Sequence, residues 1–350
     1  MDLLKDLYFN SDNKTPIYLQ IANCILDNVK NGNIKNDAQL PSINVFSKEY
    51  KVSRDTVEKA YKVLKSRDIV VGTKGLGSFI KVNNQDVSKV KVLFLINKVS
   101  PYKLEVYNAF IKTLGEDYHI DFEIYHCNEL LFLSLIEKNL NKYNYYVIMP
   151  HFKQLSSEDF NFKRKSKKLL EKIPRSNIIL LDNNDMNIDG DIIEIFQDFE
   201  NDIFNTLTDG LNEIKNYKRL NLIITEADTF PYLQKISKGF IKFCNEFSFD
   251  FKILNQIDEN TNLNSWDLFI VIEDEDLVTL LDLLSDKKEL VLGKNLGVIS
   301  YNETPFKRLL DIAVISTDFK HMGETAAHMI LNKLRGKIKN PFTLIKRNSI

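Results

Sequence analysis

The sequence predicts an α/β protein in two parts: a small winged helix-turn-helix at residues 1–82 and a two-lobed, doubly wound α/β body at 90–350, joined by a linker at 83–89. Three observations predict it. Helical spacings in the first 66 residues give way to two short apolar runs around a glycine-rich turn. After the polar stretch NNQDVSK, apolar runs of strand length recur at wide intervals, and helical patterns fill the spaces between them.

The totals allow this. A chain of 350 residues is long enough for two or three domains, and 44% hydrophobic with 27% charged residues can bury sizeable cores. Cys24, Cys127 and Cys244 are far apart, which argues for a reducing compartment and against a disulfide framework. The start MDLLKDLYFNSDNKTP lacks the basic and apolar regions of a signal peptide, and no apolar run approaches the ~20 residues of a membrane span. A cytoplasmic protein with no membrane partner is expected. The net charge of −1 hides an asymmetry. Residues 1–82 hold 13 Lys+Arg against 9 Asp+Glu, and the remainder holds 34 against 39. A basic head on an acidic body points the head toward a polyanion.

Within the head, Thr15-Pro16 is a cap followed by proline at the first helical position. Tyr18, Ile21, Ile25 and Val29 continue at helical spacing to Gly32, a C-cap residue. Cys24, between apolar turns of this helix, reads as core. Leu40-Pro41-Ser42 opens a second, short helix with Val45 and Phe46 as its buried side. Ser53 caps a third, whose Val57, Ala60, Tyr61 and Leu64 form one stripe. Strands at Ile69–Val71 and Ser78–Val82 flank a turn with Gly72, Gly75 and Gly77. In such a unit the last helix enters the major groove by its N-terminal residues, and the wing approaches phosphates or the minor groove. GLGS lacks the downstream Gly-Lys-Ser/Thr of a phosphate loop and reads as the wing tip.

Thr15-Pro16-Ile17-Tyr18, Gln20-Ile21, Leu40-Pro41-Ser42, Ser53-Arg54, Thr56-Val57, Ala60-Tyr61, Leu64 and the Gly75-x-Gly77 wing resemble, in order and spacing, the GntR family of bacterial transcription regulators. The resemblance implies a homodimer on a pseudo-palindromic double-stranded DNA operator. DNA-binding candidates are Ser42, Asn44, Ser53, Arg54, Asp55, Thr56, Lys59, Lys62, Lys74, Gly75 and Gly77. Arg54 is placed to read guanine bidentately, and Lys59, Lys62 and Lys74 to touch phosphate. Asn44 and Glu58 stand where many members carry arginine, so the operator sequence does not transfer.

In the body the strand-like runs are VKVLFLI, YYVIMP, NIILLD, LNLIIT, DLFIVIE and LGVISY, with LEVYNAFIKTL and LQKISKGFIKFCNEF among the helical patterns. This alternation implies parallel sheets with helices on both faces. Open α/β sheets bind ligands beyond the carboxyl ends of their strands. There the sequence places Asn97, Lys98 and Tyr102; His151 and Phe152; Asp182 and Asn183; Glu226 and Asp228; Glu273 and Asp274; and Asn302 and Glu303. Acidic and amide groups suit a polyol and an aromatic face suits a sugar ring. Loop ends are commonly polar for solvation alone. Apart from His151 and Asn183, these residues are the effector-binding candidates.

The segment from LGVISYNETPF through Met322-Gly323, Ala326-Ala327 and Gly336 to the closing strand FTLIKRNS, with EIFQDFENDI and Lys238-Gly239-Phe240, resembles the sensor domains of LacI-type regulators, which share the periplasmic sugar-binding fold. In that resemblance Met322-Gly323 opens a helix and Gly336 closes it. It implies ligand contacts at Asn302 or Glu303, Asp182 and Glu273-Asp274. Ile236 replaces a common arginine three residues before the glycine of Lys238-Gly239-Phe240.

Against an enzyme, His119, His126, His151, His321 and His328 show no metal-ligand spacing, and no Gly-x-Ser-x-Gly elbow, Walker lysine or pyridoxal-lysine context is present. No catalytic residue, metal or cofactor is assigned. The expected function is a DNA-binding regulator, a repressor, modulated by a small polar effector such as a sugar or sugar derivative. The alternatives are an effector-independent regulator and an enzyme fused to a DNA-binding head.

Overall fold

A computed structural model describes residues 15–30, 33–73, 75–81, 89–153, 159–225 and 230–350. The expectations for Gly32, Lys74, Val82, Glu226 and Asp228, and for most of the linker, lie outside the described residues.

The head comprises α1 (Ile17–Lys30), α2 (Ile43–Glu49), α3 (Arg54–Ser66), β1 (Val70–Thr73) and β2 (Gly77–Ile80). Ser42 and Ser53 adopt extended backbone, and their hydroxyls accept from the Val45 and Thr56 amides, fixing where α2 and α3 start. Ile21, Ile25, Phe46, Val57, Ala60, Leu64 and Ile80 close one core. Val45 corrects the expected apolar side of α2: it is 54% exposed, while Phe46 is fully buried. Adjacent helix positions point about 100° apart, so a helix this short buries one of them. The two strands pair antiparallel from Val70↔Ile80 to Thr73↔Gly77, making the wing.

The first lobe contains β3 (Val90–Ile96), α4 (Pro101–Leu114), β4 (Tyr118–Ile124), α5 (Glu129–Asn139), β5 (Tyr145–Ile148), α6 (Asp159–Leu170), β6 (Ile178–Asp182) and β7 (Ile193–Phe196). The second contains α7 (Phe199–Asp209), α8 (Leu211–Ile214), β8 (Arg219–Ile223), α9 (Pro231–Glu246), β9 (Asp250–Leu254), β10 (Asp267–Val271), α10 (Asp274–Ser285), β11 (Leu296–Tyr301), α11 (Pro305–Leu309) and β12 (Ala313–Thr317). The chain then returns: α12 (Phe319–Leu331) and β13 (Gly336–Lys339) join the first lobe and β14 (Phe342–Ile345) the second. The sheet orders are β13-β7-β6-β5-β3-β4 and β14-β12-β11-β10-β8-β9. All neighbours are parallel except β12 and β14. Each order reverses once, between β3 and β5 and between β8 and β10, as expected of a doubly wound sheet.

The chain therefore crosses between lobes three times, after Phe196, after Thr317 and after Lys339. The crossings are tied together. The Asn340 amide donates to the Phe196 carbonyl at 2.8 Å and the Asp318 amide to the Pro341 carbonyl at 3.0 Å. The Asn340 side chain donates to the Asp318 carbonyl at 2.9 Å, and the Thr317 hydroxyl to Gln197 Oε1 at 2.5 Å.

Three expectations for the tail are corrected. Asp318 caps α12, so Met322-Gly323 lies in its second turn; the helix ends at Leu331, and Gly336, at φ +146°, opens β13. The closing strand stops at Ile345, before Arg347. Gly323 serves packing: a Cβ there would lie 2.3 Å from the Val106 carbonyl oxygen of α4. Gly239 does the same in the second lobe, where a Cβ would meet the Glu200 carbonyl at 2.1 Å. We expect Gly323→Ala and Gly239→Ala each to destabilise the body by about 1–3 kcal/mol. Thermal melts check this, and an unchanged melting temperature would contradict such close helix contact.

Candidate DNA face and effector cleft

On the head, Ser42, Asn44, Ser53, Arg54, Asp55 and Lys59 are exposed and Thr56 is half-buried. Except for Lys59, in the second turn of α3, they gather at the starts of α2 and α3, where the capping serines hold both helix N-termini. Ser53 Oγ also meets Thr56 Oγ1 at 2.7 Å. Lys62, one turn further on, is exposed and pairs with Glu58 at 2.8 Å. At the wing tip Gly75 (φ +81°) and Gly77 (φ +109°) need left-handed backbone, and between them Leu76 is 64% exposed. The Leu76 carbonyl accepts from Gln39 Nε2 at 2.6 Å, which holds the wing against the segment entering α2. The sequence reading missed Leu76; an apolar residue between two wing glycines was the available signal.

In the body, the carboxyl ends of the first lobe's strands make a polar floor. Asn97 follows β3, Cys127 follows β4, His151 follows β5, and Asp182 ends β6 in left-handed backbone at φ +75°. Gln197 follows β7, and Lys103 reaches in from the first turn of α4; Asn97, Lys103, His151, Asp182 and Gln197 are all buried. Lys103 Nζ donates to Asn97 Oδ1, and Asn97 Nδ2 donates to Cys127 Sγ at 3.3 Å. His151 Nε2 meets Asp182 Oδ2 at 2.7 Å, and Gln197 Nε2 donates to Asp182 Oδ1. Asn183 Nδ2 lies 3.5 Å from His151 Nδ1. This pattern fits a neutral imidazole donating through Nε2 and accepting at Nδ1.

Burial pushes the His151 pKa down, outweighing the attraction of Asp182. Burial alone would raise the Asp182 carboxyl, but His151, Lys103 and Gln197 hold it at about 2. Burial lowers the Lys103 ammonium to about 8, although Asp182 favours its charge.

The second lobe faces this floor. The His151 and Tyr232 rings meet edge to face at 5.3 Å, Lys235 pairs with Asp185 at 2.5 Å, and Lys153 Nζ lies 5.7 Å from the Phe230 ring centroid. Tyr102 stacks on Phe319 and hydrogen-bonds Asp274 across the cleft, and burial raises its phenol. Asp274 also pairs with the buried Lys307 at 2.6 Å, and Lys307 Nζ donates to the carbonyls of Tyr301 and Asn302.

Of the candidates, Asn97, Tyr102, Asp182, Asp274 and Asn302 are thus built into the cleft's hydrogen-bond network. Lys98 and Glu273 are exposed beside it, and Glu303 is held by Arg347 at 2.9 Å. Phe152 is a correction: its ring packs on Tyr125 and Phe132 in the first lobe's core and is no free platform for a sugar. Ile236 is buried in the second lobe's core. Lys103, Gln197, Tyr232 and Lys307 were missed, since each sits inside a helical or strand-to-helix pattern that reads as ordinary amphipathic sequence.

The family described as "Bacterial regulatory proteins, gntR family" matches residues 17–80. Residues 17–80 are a GntR-family helix-turn-helix domain. This GntR head is 36% identical over 72 residues to the uncharacterised HTH-type transcriptional regulator YurK of Bacillus subtilis (strain 168), covering 21% of this chain and 30% of YurK. It is 32% identical over 71 residues to the HTH-type transcriptional repressor NagR of the same organism, covering 20% of this chain and 29% of NagR. The match thus spans under a third of either relative. Beyond the GntR head, the LacI transcriptional regulator from Lactobacillus brevis superposes with a TM-score of 0.54 at 12% identity, over 74% of this chain and 100% of that one. A periplasmic binding protein/LacI transcriptional regulator from Alkaliphilus metalliredigens QYMF, complexed with D-xylulofuranose, gives 0.52 at 15% identity, over 74% and 98%. The body shares that fold. Among the described residues no cluster of His, Cys, Asp and Glu is placed to hold a metal, and no helix is long and apolar enough to cross a membrane.

The floor sets a pH dependence. The folded pKa of His151 lies below its usual 6.5, so the unfolded chain binds that proton first and stability falls as pH drops below about 6.5. Asp182 adds a further loss between 3.8 and about 2. Lys103 acts at the other end, where stability rises as pH climbs from about 8 toward 10.5. Denaturant titrations across pH and NMR of the His151 ring check this. A His151 that titrates above 6.5 would contradict it.

Proposed function

We propose that this chain is a one-component transcription regulator, a repressor, whose homodimer places two winged heads on a pseudo-palindromic operator. Its body closes on a small polar effector, a sugar or sugar derivative, over the floor of Asn97, Lys103, His151, Asp182 and Gln197. The reading assigns it no catalytic role and places it in the cytoplasm.

One observation carries the proposal. Gln197 belongs at once to the floor, through Asp182, and to the hinge, through Thr317. A ligand that rearranges Asp182 therefore acts on the crossings between lobes. Such a ligand changes DNA affinity only by its differential affinity for the two body states, typically about 1–3 kcal/mol. The D-xylulofuranose in the Alkaliphilus structure and the repressor NagR support the direction of the reading. The floor groups also satisfy one another in this arrangement, which favours, as a second reading, a body that acts without an effector.

Two measurements test this. A thermal-shift screen of monosaccharides and their acid and phosphate derivatives should give a specific hit, since saturation at 100 Kd adds about 2.7 kcal/mol; a blank across a broad panel supports the effector-free reading. On an operator selected from random duplexes, Arg54→Ala should cost about 1–3 kcal/mol of specific binding and far less non-specific binding. Equal losses on both would remove Arg54 from base reading.

A further inference from the structure

We infer that the face of the head opposite its DNA end is a docking surface for the body's first lobe, and that Arg67 is its latch. Arg67 is the C-cap of α3. It lies about 20 Å along the helix axis from Arg54, at ~1.5 Å per residue, so it belongs to the other end of the recognition helix. Its guanidinium bridges two domains. Nε donates to the Asn141 carbonyl at 2.9 Å, and Nη1 donates to Asn23 Oδ1 of α1 at 3.2 Å. Asn141 stands in the turn between α5 and β5, in left-handed backbone at φ +64°.

The seam is packed. Leu19 of α1 and Arg67 share it with Asn141, Tyr143, Tyr146 and Ile173 of the body, around a cavity of about 10 Å³. That volume admits one water at most. Leu19 is only 4% exposed. Burial also draws the Arg67 pKa down, as expected for a guanidinium taken from water. A planar fork can hold two acceptors on different elements at once, which a lysine ammonium on its flexible stem does with greater loss of freedom.

Docking leaves the DNA face open. Asn44, Arg54 and the wing tip at Leu76 stay exposed. The contact therefore orients the head on the first lobe without occluding it. A head so oriented spends less freedom on binding than an undocked one, so the docked form is the DNA-competent one. It also gives the hinge something to move: when the lobes rotate, a latched head turns with the first lobe.

The DNA part of this inference rests on the regulator reading; the docking does not. Full-length Arg67→Ala and Arg67→Lys proteins test both. Without DNA, Arg67→Ala should speed hydrogen exchange at residues 141–146 and proteolysis within 82–88, leave exchange in α3 unchanged, and place Arg67→Lys between it and the wild type. Unchanged exchange and proteolysis would overturn the docking. On the selected operator, Arg67→Ala should lower affinity about tenfold with the salt slope unchanged. A slope smaller by about one would mean that Arg67 touches phosphate and would overturn the latch, and so would unchanged affinity. A wild-type protein that binds no duplex would remove the regulator reading while the exchange result still decides the docking.

Discussion

The body depends on one constraint: three strands of backbone pass between the lobes, and each must satisfy its buried polar groups where no regular sheet continues. An unpaired buried amide or carbonyl costs about 1–3 kcal/mol. The crossings meet most of the demand by bonding to one another, with Asn340 on Phe196 and Asp318, Asp318 on Pro341 and Thr317 on Gln197, while the buried Asn340 Oδ1 is left without a partner. The three crossings lie side by side, the middle one opposite in direction to the other two, and together they form a narrow connection between the lobes. Packed lobes joined so narrowly suit hinge closure more than internal deformation.

The floor of the cleft is the second consequence. Ionised Asp182 at the end of β6 is held by His151 and Gln197, with Lys103 near by. These groups are expensive to bury, and each is affordable only through the others. Because the network runs without a break from Asn183 through His151 and Asp182 to Thr317, a change at the floor reaches the hinge through bonded neighbours. On the far side of the first lobe the same rigid unit bears on Arg67 through the turn at Asn141.

Much of this was legible in the sequence because its causes are local. Ser42 and Ser53 cap within three residues, and the stripe Val57, Ala60, Tyr61, Leu64 is fixed by helical geometry. The central strands are continuous apolar runs, which is what burial on both sheet faces requires. The five strands that were not read are of other kinds. Half-buried β4 and largely exposed β9 and β13 are edge strands that mix charges with apolar residues, and β7 and β12 are buried strands that run directly into the crossings. Helix ends were misjudged at Gly336 because its positive φ serves a strand start as well as a cap. The functional misses share a cause. Lys103 and Lys307 occupy ordinary surface positions of amphipathic helices until tertiary packing closes over them, and Phe152 is diverted by the aromatic neighbours Tyr125 and Phe132. The Asp274 partner of Lys307 and the ring partners of Phe152 are all distant in sequence.

If the hinge couples cleft to head as proposed, linkage is reciprocal, and DNA must bias the lobes as a bound effector would. The most direct test needs no knowledge of the effector. Spin labels at exposed Lys112 of α4 and Asp282 of α10 report the distance between lobes by pulsed electron resonance, on a Cys24→Ser background because Cys24 is half-buried rather than core while Cys127 and Cys244 are buried. Saturating operator should shift that distribution toward one of its populations, while a scrambled duplex at equal concentration leaves it as in free protein. An identical distribution with and without operator would contradict a body and head that move as one machine.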